Sequence, residues 1–258
     1  MLRLRVIPCL LWKNGGLVKT VKFKNPTYVG DATNAIRIFN EKEVDELILL
    51  DIDASKKGSP PNVDLIKQIA SECFMPLCYG GAVTTLEQIR EVLFAGVEKV
   101  SINTKAVEDP SFIRKAAETY GSSTIVVCID YKKSFLKGNI VTSKGGTVNS
   151  RYDPMDFAQL MEEMGAGEAV LNSIDRDGTM NGYDYELLNK IAEKLSIPVI
   201  ALGGAGNMGH VAEVVRRTKV SAVAAGSMFV FQGPHKAVLI SYPKRKELEQ
   251  ILQPVKSL

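Results

Sequence analysis

An internal repeat constrains this chain more than any other feature. The apolar run Arg5-Val6-Ile7-Pro8-Cys9-Leu10-Leu11 has a counterpart in Thr124-Ile125-Val126-Val127-Cys128-Ile129-Asp130, with Cys9 and Cys128 119 positions apart. Pro76-Leu77-Cys78-Tyr79-Gly80-Gly81 is echoed by Pro198-Val199-Ile200-Ala201-Leu202-Gly203-Gly204, where Gly80 and Gly203 are offset by 123. Ile102-Asn103 and Ala225-Gly226 share that offset, and Ile52-Asp53 lies 122 before Ile174-Asp175. In a chain of 258 residues this spacing predicts two similar halves closed into one fold, not two separate domains.

Between the repeated apolar runs lie amphipathic stretches with helix-start signals. Asp31, Asn62, Thr84 or Thr85, and Asp109-Pro110 can each open a helix. Further helices are predicted over about 154–164, 185–195, 208–217 and 244–252. Strands are predicted at 5–11, 46–53, 76–81, 97–102, 124–130, 168–173, 197–202 and 220–225. Eight strand-then-helix units imply parallel strands with right-handed crossovers. The predicted fold is α/β, a single (β/α)8 TIM barrel of two similar half-barrels over residues 1–258. Two segments exceed an ordinary connection. Residues 17–28 read as a basic, flexible segment, either a functional lid or a solvated surface hairpin, and 131–150 as a hairpin.

Composition excludes several classes. With 32 basic and 29 acidic residues, charge gives no case for nucleic acid. Apolar runs stay under ten residues, too short for a membrane span, and the N-terminus lacks a signal-peptide plan. Cys9, Cys73, Cys78 and Cys128 lack metal or redox spacing and read as reduced core thiols of a cytoplasmic protein. With His210 and His235 the only histidines, neither a zinc site nor a His-based triad is expected, and no cofactor is implied.

In a barrel of this type, residues at the C-terminal ends of strands carry the chemistry. Glycines there leave backbone N–H groups at helix starts, where phosphate binds. Two such clusters follow from the repeat. One holds Gly80, Gly81, Asn103 and Thr104. The other holds Asp177, Gly178, Thr179, Gly203, Gly204, Gly226 and Ser227. The expected ligand is long, with a phosphate at each end.

Ile7-Pro8-Cys9-Leu10, Leu50-Asp51-Ile52-Asp53, Lys99-Val100-Ser101-Ile102-Asn103, Asp175-Arg176-Asp177-Gly178-Thr179 and Gly203-Gly204-Ala205-Gly206 together resemble the HisF family across essentially the whole chain. HisF is the cyclase subunit of imidazole glycerol phosphate synthase. The resemblance implies a HisH-like glutaminase on the N-terminal face and ammonia passing through the barrel to a bisphosphorylated nucleotide. It implies acid–base aspartates at the ends of strands one and five. The second is present as Asp130, and the first falls at Leu11. A leucine cannot transfer a proton, so weak or absent cyclase activity is expected. By the same resemblance Arg5, Glu46, Lys99 and Glu168 form an ammonia gate, Glu98 faces the partner, and Lys19 contacts phosphate. Ala82 replaces a third glycine, and Tyr79 and Trp12 add bulk expected near the mouth.

This pattern, with Asn14-Gly15-Gly16-Leu17-Val18-Lys19, resembles a HisF-like branch encoded with surface-polysaccharide genes. That implies an ammonia-delivering subunit working with a HisH-like glutaminase and an ATP-dependent sugar amidotransferase. The alternatives are a true cyclase of histidine biosynthesis and a stand-alone phosphosugar-binding barrel.

Overall fold

The computed structural model describes residues 4–135 and 138–252. Eight parallel strands form its centre: β1 (Arg5–Lys13), β2 (Leu47–Asp51), β3 (Leu77–Gly80), β4 (Lys99–Ile102), β5 (Ile125–Ser134), β6 (Glu168–Ser173), β7 (Val199–Leu202) and β8 (Ala222–Ala225). Each pairs with the next, β8 pairs with β1, and the register Glu168↔Val126 through Ser173↔Tyr131 joins β5 to β6. The sheet is therefore a closed (β/α)8 barrel.

The strand-to-strand helices are α1 (Ala32–Glu41), α2 (Val63–Glu72), α3 (Leu86–Phe94), α4 (Ser111–Tyr120), α5 (Pro154–Glu163), α6 (Tyr185–Lys194), α7 (Met208–Arg217) and α8 (Arg245–Leu252). Their starts are written locally. Asp31, Asn62, Asp153 and Asn207 each accept a backbone N–H of the first turn, and Thr85 with Gln88 completes a capping box.

Alternation along the strands sorts side chains into two cores. Leu10, Leu49, Val100, Val127, Leu171 and Val223 face outward and pack against helices such as α1 and α5. Ile7, Ile48, Cys78, Val126, Val170 and Ile200 face the barrel axis. Tyr79 and Trp12 fall on the outward parity, so both pack in the outer layer and neither adds bulk to the mouth.

Of the two readings of 17–28 the structure shows the hairpin, an ordered antiparallel pair of Gly16–Val21 with Lys24–Gly30. It continues β1 through the register Leu11↔Val18 to Lys13↔Gly16, and Leu17, Val18, Lys19 and Thr20 are buried. Its lysines suggest a solvated loop, but Lys19 is buried against Asp177, Lys22 stands in the two-residue turn and Lys24 opens the return strand. The expected second hairpin is present. β5 runs past Asp130 to Ser134 and pairs with Gly138–Ser143. Short helices at Ala54–Lys57, Thr104–Glu108 and Ser227–Val230 were not predicted. Each is one turn long, too short to show a period. Among the described residues no helix is long and apolar enough to cross a membrane.

Candidate functional site: a charged floor and an apolar-walled mouth

At the N-terminal end, Arg5, Glu46, Lys99 and Glu168 stand at or just before the starts of β1, β2, β4 and β6. Arg5 Nη1 lies 2.5 Å from Glu46 Oε2 and Nη2 lies 2.7 Å from Glu168 Oε1. Lys99 Nζ lies 3.2 Å from Glu46 Oε1 and 3.0 Å from Glu168 Oε2. Each cation therefore touches both anions, and the four alternate around the barrel floor. Glu46 and Glu168 are buried, a position a carboxylate tolerates only when paired. Burial works against the Arg5 charge, but Glu168 and Glu46 outweigh it and hold the guanidinium above its ordinary range. Glu98 is exposed on the same face, beside Lys99.

Above this ring the axis is lined by aliphatic side chains, three thiols and the buried hydroxyl-bearing Ser101, with Asn172 and Asp130 near the mouth. Burial holds Cys9, Cys78 and Cys128 protonated, with Cys9 pushed up to about 12. The axis thus has a charged floor and a neutral lining.

The C-terminal mouth encloses about 350 Å³, reaching from Cys9 and Cys128 up to Lys56 and Lys144. Gly80, Gly81, Asn103 and Thr104 all line this cavity. Ala82 also lines it, in the left-handed region at φ 51°. Leu11 and Asp130 are both wall residues. Leu11 is flanked in the barrel core by Leu50 and Ile52, so its side of the wall is apolar. Asp130 is buried, and desolvation lifts its carboxyl to about 7, against the pull of Asn172 Nδ2 donating to Oδ1 at 2.9 Å and the Cys128 thiol at 3.6 Å. The other wall carboxylates are Asp51, Glu108 and Asp177. Asp51 Oδ1 accepts the amides of Asp53 and Ala54, and Glu108 pairs with Lys144.

Asp177 is held by the first hairpin. Lys19 Nζ lies 2.8 Å from its Oδ1, Thr20 Oγ1 lies 3.1 Å from its Oδ2, and the Lys22 amide donates to its carbonyl. Asp177, Gly178, Gly203, Gly204, Gly226 and Ser227 are gathered around a second, much smaller space of about 10 Å³, which Lys19 also lines. Thr179 is not part of it; its hydroxyl donates to the Arg176 carbonyl within its own turn. The glycines here also serve packing. A Cβ on Gly178 would stand 2.2 Å from the Thr20 carbonyl, and one on Gly204 2.1 Å from that of Gly182. The Ser227 hydroxyl is buried with no partner among the described residues. Asn172, Lys144 and Phe23 were not singled out from the sequence. Asn172 is legible in hindsight as the inward residue two before Ile174-Asp175. Phe23, packed over Gly146, has no local signal.

A closed eightfold barrel with an alternating ion ring on its floor and paired glycine clusters at its mouth defines a HisF-like barrel. The comparisons agree: the profile of the family described as "Histidine biosynthesis protein" matches residues 5–235, and the chain belongs to that family. It is 57% identical over 249 residues to a Pseudomonas aeruginosa protein named "Putative imidazole glycerol phosphate synthase subunit hisF2", covering 96% of this chain and 99% of the relative. A Leptospira borgpetersenii relative, named as subunit HisF of the same synthase, is 48% identical over 252 residues, covering 97% and 99%. A Vibrio vulnificus relative, named as its subunit hisF3, is 48% identical over 254 residues, covering 98% of each.

Proposed function

We propose that this chain is a barrel subunit that takes ammonia from a HisH-like glutaminase and passes it along its axis to an ATP-dependent sugar amidotransferase. The observation that carries this reading is the pairing of a complete ion ring on the floor with Leu11 opposite Asp130 at the mouth. Conduction and cyclisation make different demands. Conduction of NH3 calls for a neutral, weakly polar axis that discourages charged species, and a lining of aliphatic side chains, thiols and Ser101 meets it. Cyclisation calls for proton transfer on two sides of a forming ring, and the end of β1 offers Leu11, an aliphatic side chain, where one of those transfers would need an acid. Asp177 is engaged by Lys19 and Thr20, and Asp51 is tied to a turn, so neither is poised to replace the missing acid.

In this reading Lys99 or Arg5 swings out of the ring to admit ammonia, and Glu98 contacts the glutaminase. Phe74 and Phe94, exposed at 87% and 83% at the ends of helices on the same face, supply apolar contact. The mouth glycines and Lys19 are phosphate contacts in the family pattern. Here Lys19 is paired with Asp177 and the second cluster keeps only about 10 Å³, so a ligand with two phosphates meets one roomy end. The subunit works in the cytoplasm, where its thiols stay reduced. The test is reconstitution: glutamine-driven amidination should depend on the barrel, and equal rates without it would sink the proposal.

A second reading, the cyclase subunit of imidazole glycerol phosphate synthase, is favoured by the relatives' names and by Asp130, whose raised proton affinity suits an acid–base group. Rescue of a cyclase-deficient strain on medium lacking histidine would select it.

A further inference from the structure

The formal net charge of +3 conceals a strong separation. Residues 13–30 and 131–152, which hold the two mouth hairpins, contain eight lysines, one arginine and no acidic residue. The remainder of the chain has 23 basic and 29 acidic residues. The hairpins lie together: a Cβ on Gly146 of the second would stand 3.2 Å from the Phe23 ring of the first, and Lys132 Nζ donates to the Gly146 carbonyl. The acids nearest this collar are already engaged. Asp53 pairs with Lys13 and Lys57, Asp177 with Lys19, Glu108 with Lys144, and Asp175 accepts the Lys133 amide. Lys22, Lys24 and Lys133 are exposed and make no ion pair among the described residues. They also lie outside the mouth cavity, so a small ligand held in it does not account for them.

We infer that the two hairpins form a basic collar that docks an acidic face of the protein that consumes the ammonia. This rests on the conduit reading above and names the surface it needs. Charge complementarity is the main argument. Clustered lysines raise the encounter rate of an acidic partner and orient it over the mouth. Exposed apolar groups, Tyr28 and Val148 among the strands and Phe135 on the second hairpin, give such a partner contact area. A collar that inserts in a bilayer would call for apolar wedges at both tips, but only the second carries an exposed ring, Phe135, while the first presents Lys22 and Lys24 and turns Phe23 in over Gly146. Nucleic acid would call for arginines and stacking platforms, and eight of these nine cations are lysine.

The test uses the chain assembled with its glutaminase, and the sugar amidotransferase as probe, at low and high salt. Lys22→Glu/Lys24→Glu/Lys133→Glu should slow association on the order of 10–100-fold and flatten its salt dependence. Lys67→Glu/Lys190→Glu/Lys194→Glu, on outer helices, should leave it unchanged, and glutaminase binding should survive in both. Amidotransferase binding that withstands the collar reversal would overturn the collar alone. Failure of the amidotransferase to bind the unaltered assembly would remove the conduit reading and the collar with it. Collar-dependent binding to phosphatidylcholine vesicles containing phosphatidylglycerol, or to oligothymidylate, tighter than to the amidotransferase would reassign the surface.

Discussion

Lys19 and Asp177, 158 residues apart in sequence, meet as a buried ion pair at 2.8 Å that ties the hairpin after β1 to the turn after β6. Both residues line the space of about 10 Å³ around which the second glycine cluster is gathered. Asp177→Asn removes the anion and leaves the Lys19 ammonium buried without its charge partner. The expected result is a loosened hairpin, a stability loss of about 2–4 kcal/mol, and faster amide exchange at Lys22, whose N–H donates to the Asp177 carbonyl. Hydrogen exchange by mass spectrometry checks this. Unchanged exchange across 16–30 would show that strand pairing alone holds the hairpin.

The floor ring is expected to respond asymmetrically. Glu46 contacts both Arg5 and Lys99, so Glu46→Ala leaves two cations sharing Glu168. A loss of about 3–5 kcal/mol is expected in urea denaturation. Lys99→Ala leaves Arg5 bridging both acids and should cost less. It should also raise leakage of glutamine-derived ammonia from the assembled complex.

Asp130 makes stability depend on pH. Its carboxyl titrates at about 7 in the folded chain, against an ordinary value of 3.8. Between those values the folded state holds a proton that the unfolded state has lost, so stability should fall as pH rises from about 4 to 7 and then level off. Asp130→Asn should abolish that component, which is on the order of 4 kcal/mol across the window. Urea midpoints of both proteins from pH 5 to 8 check the sign. Parallel curves would mean that Asp130 is ionised throughout.

Leu11→Asp places a carboxyl beside Leu50 and Ile52. The new acid should be neutral at low pH and costly once ionised, so the substitution should destabilise by about 2–4 kcal/mol at pH 8 and by less at pH 5. The unaltered chain is expected to leave a cyclase-deficient strain unable to grow without histidine. Rescue by the unaltered chain would transfer the assignment to the cyclase.

Much of the barrel was legible because its signals are local. Eight apolar runs, cap residues such as Asn62 and Thr85, and the half-length repeat are readable within short windows. The ion ring was reached by resemblance, and the structure supplies its alternation. The hairpin at 16–30 stood beside a flexible lid among the sequence readings, and its lysines concealed that its first strand is buried. Its pairing with β1 and its tie to Asp177 depend on residues far along the chain. The glycines of the second cluster suggest open amides, but Gly178 and Gly204 also admit a neighbouring backbone, a fact available only from the packing.

Isotope competition tests the conduit most directly. The assembled glutaminase, barrel and sugar amidotransferase would be supplied with amide-15N glutamine in an excess of unlabelled ammonium, and the label in the amidinated sugar measured. Channelling through the barrel should keep the product predominantly 15N, because ammonia released beneath the Arg5–Glu46–Lys99–Glu168 ring never mixes with solvent. Product diluted to the isotopic composition of bulk ammonium would contradict it.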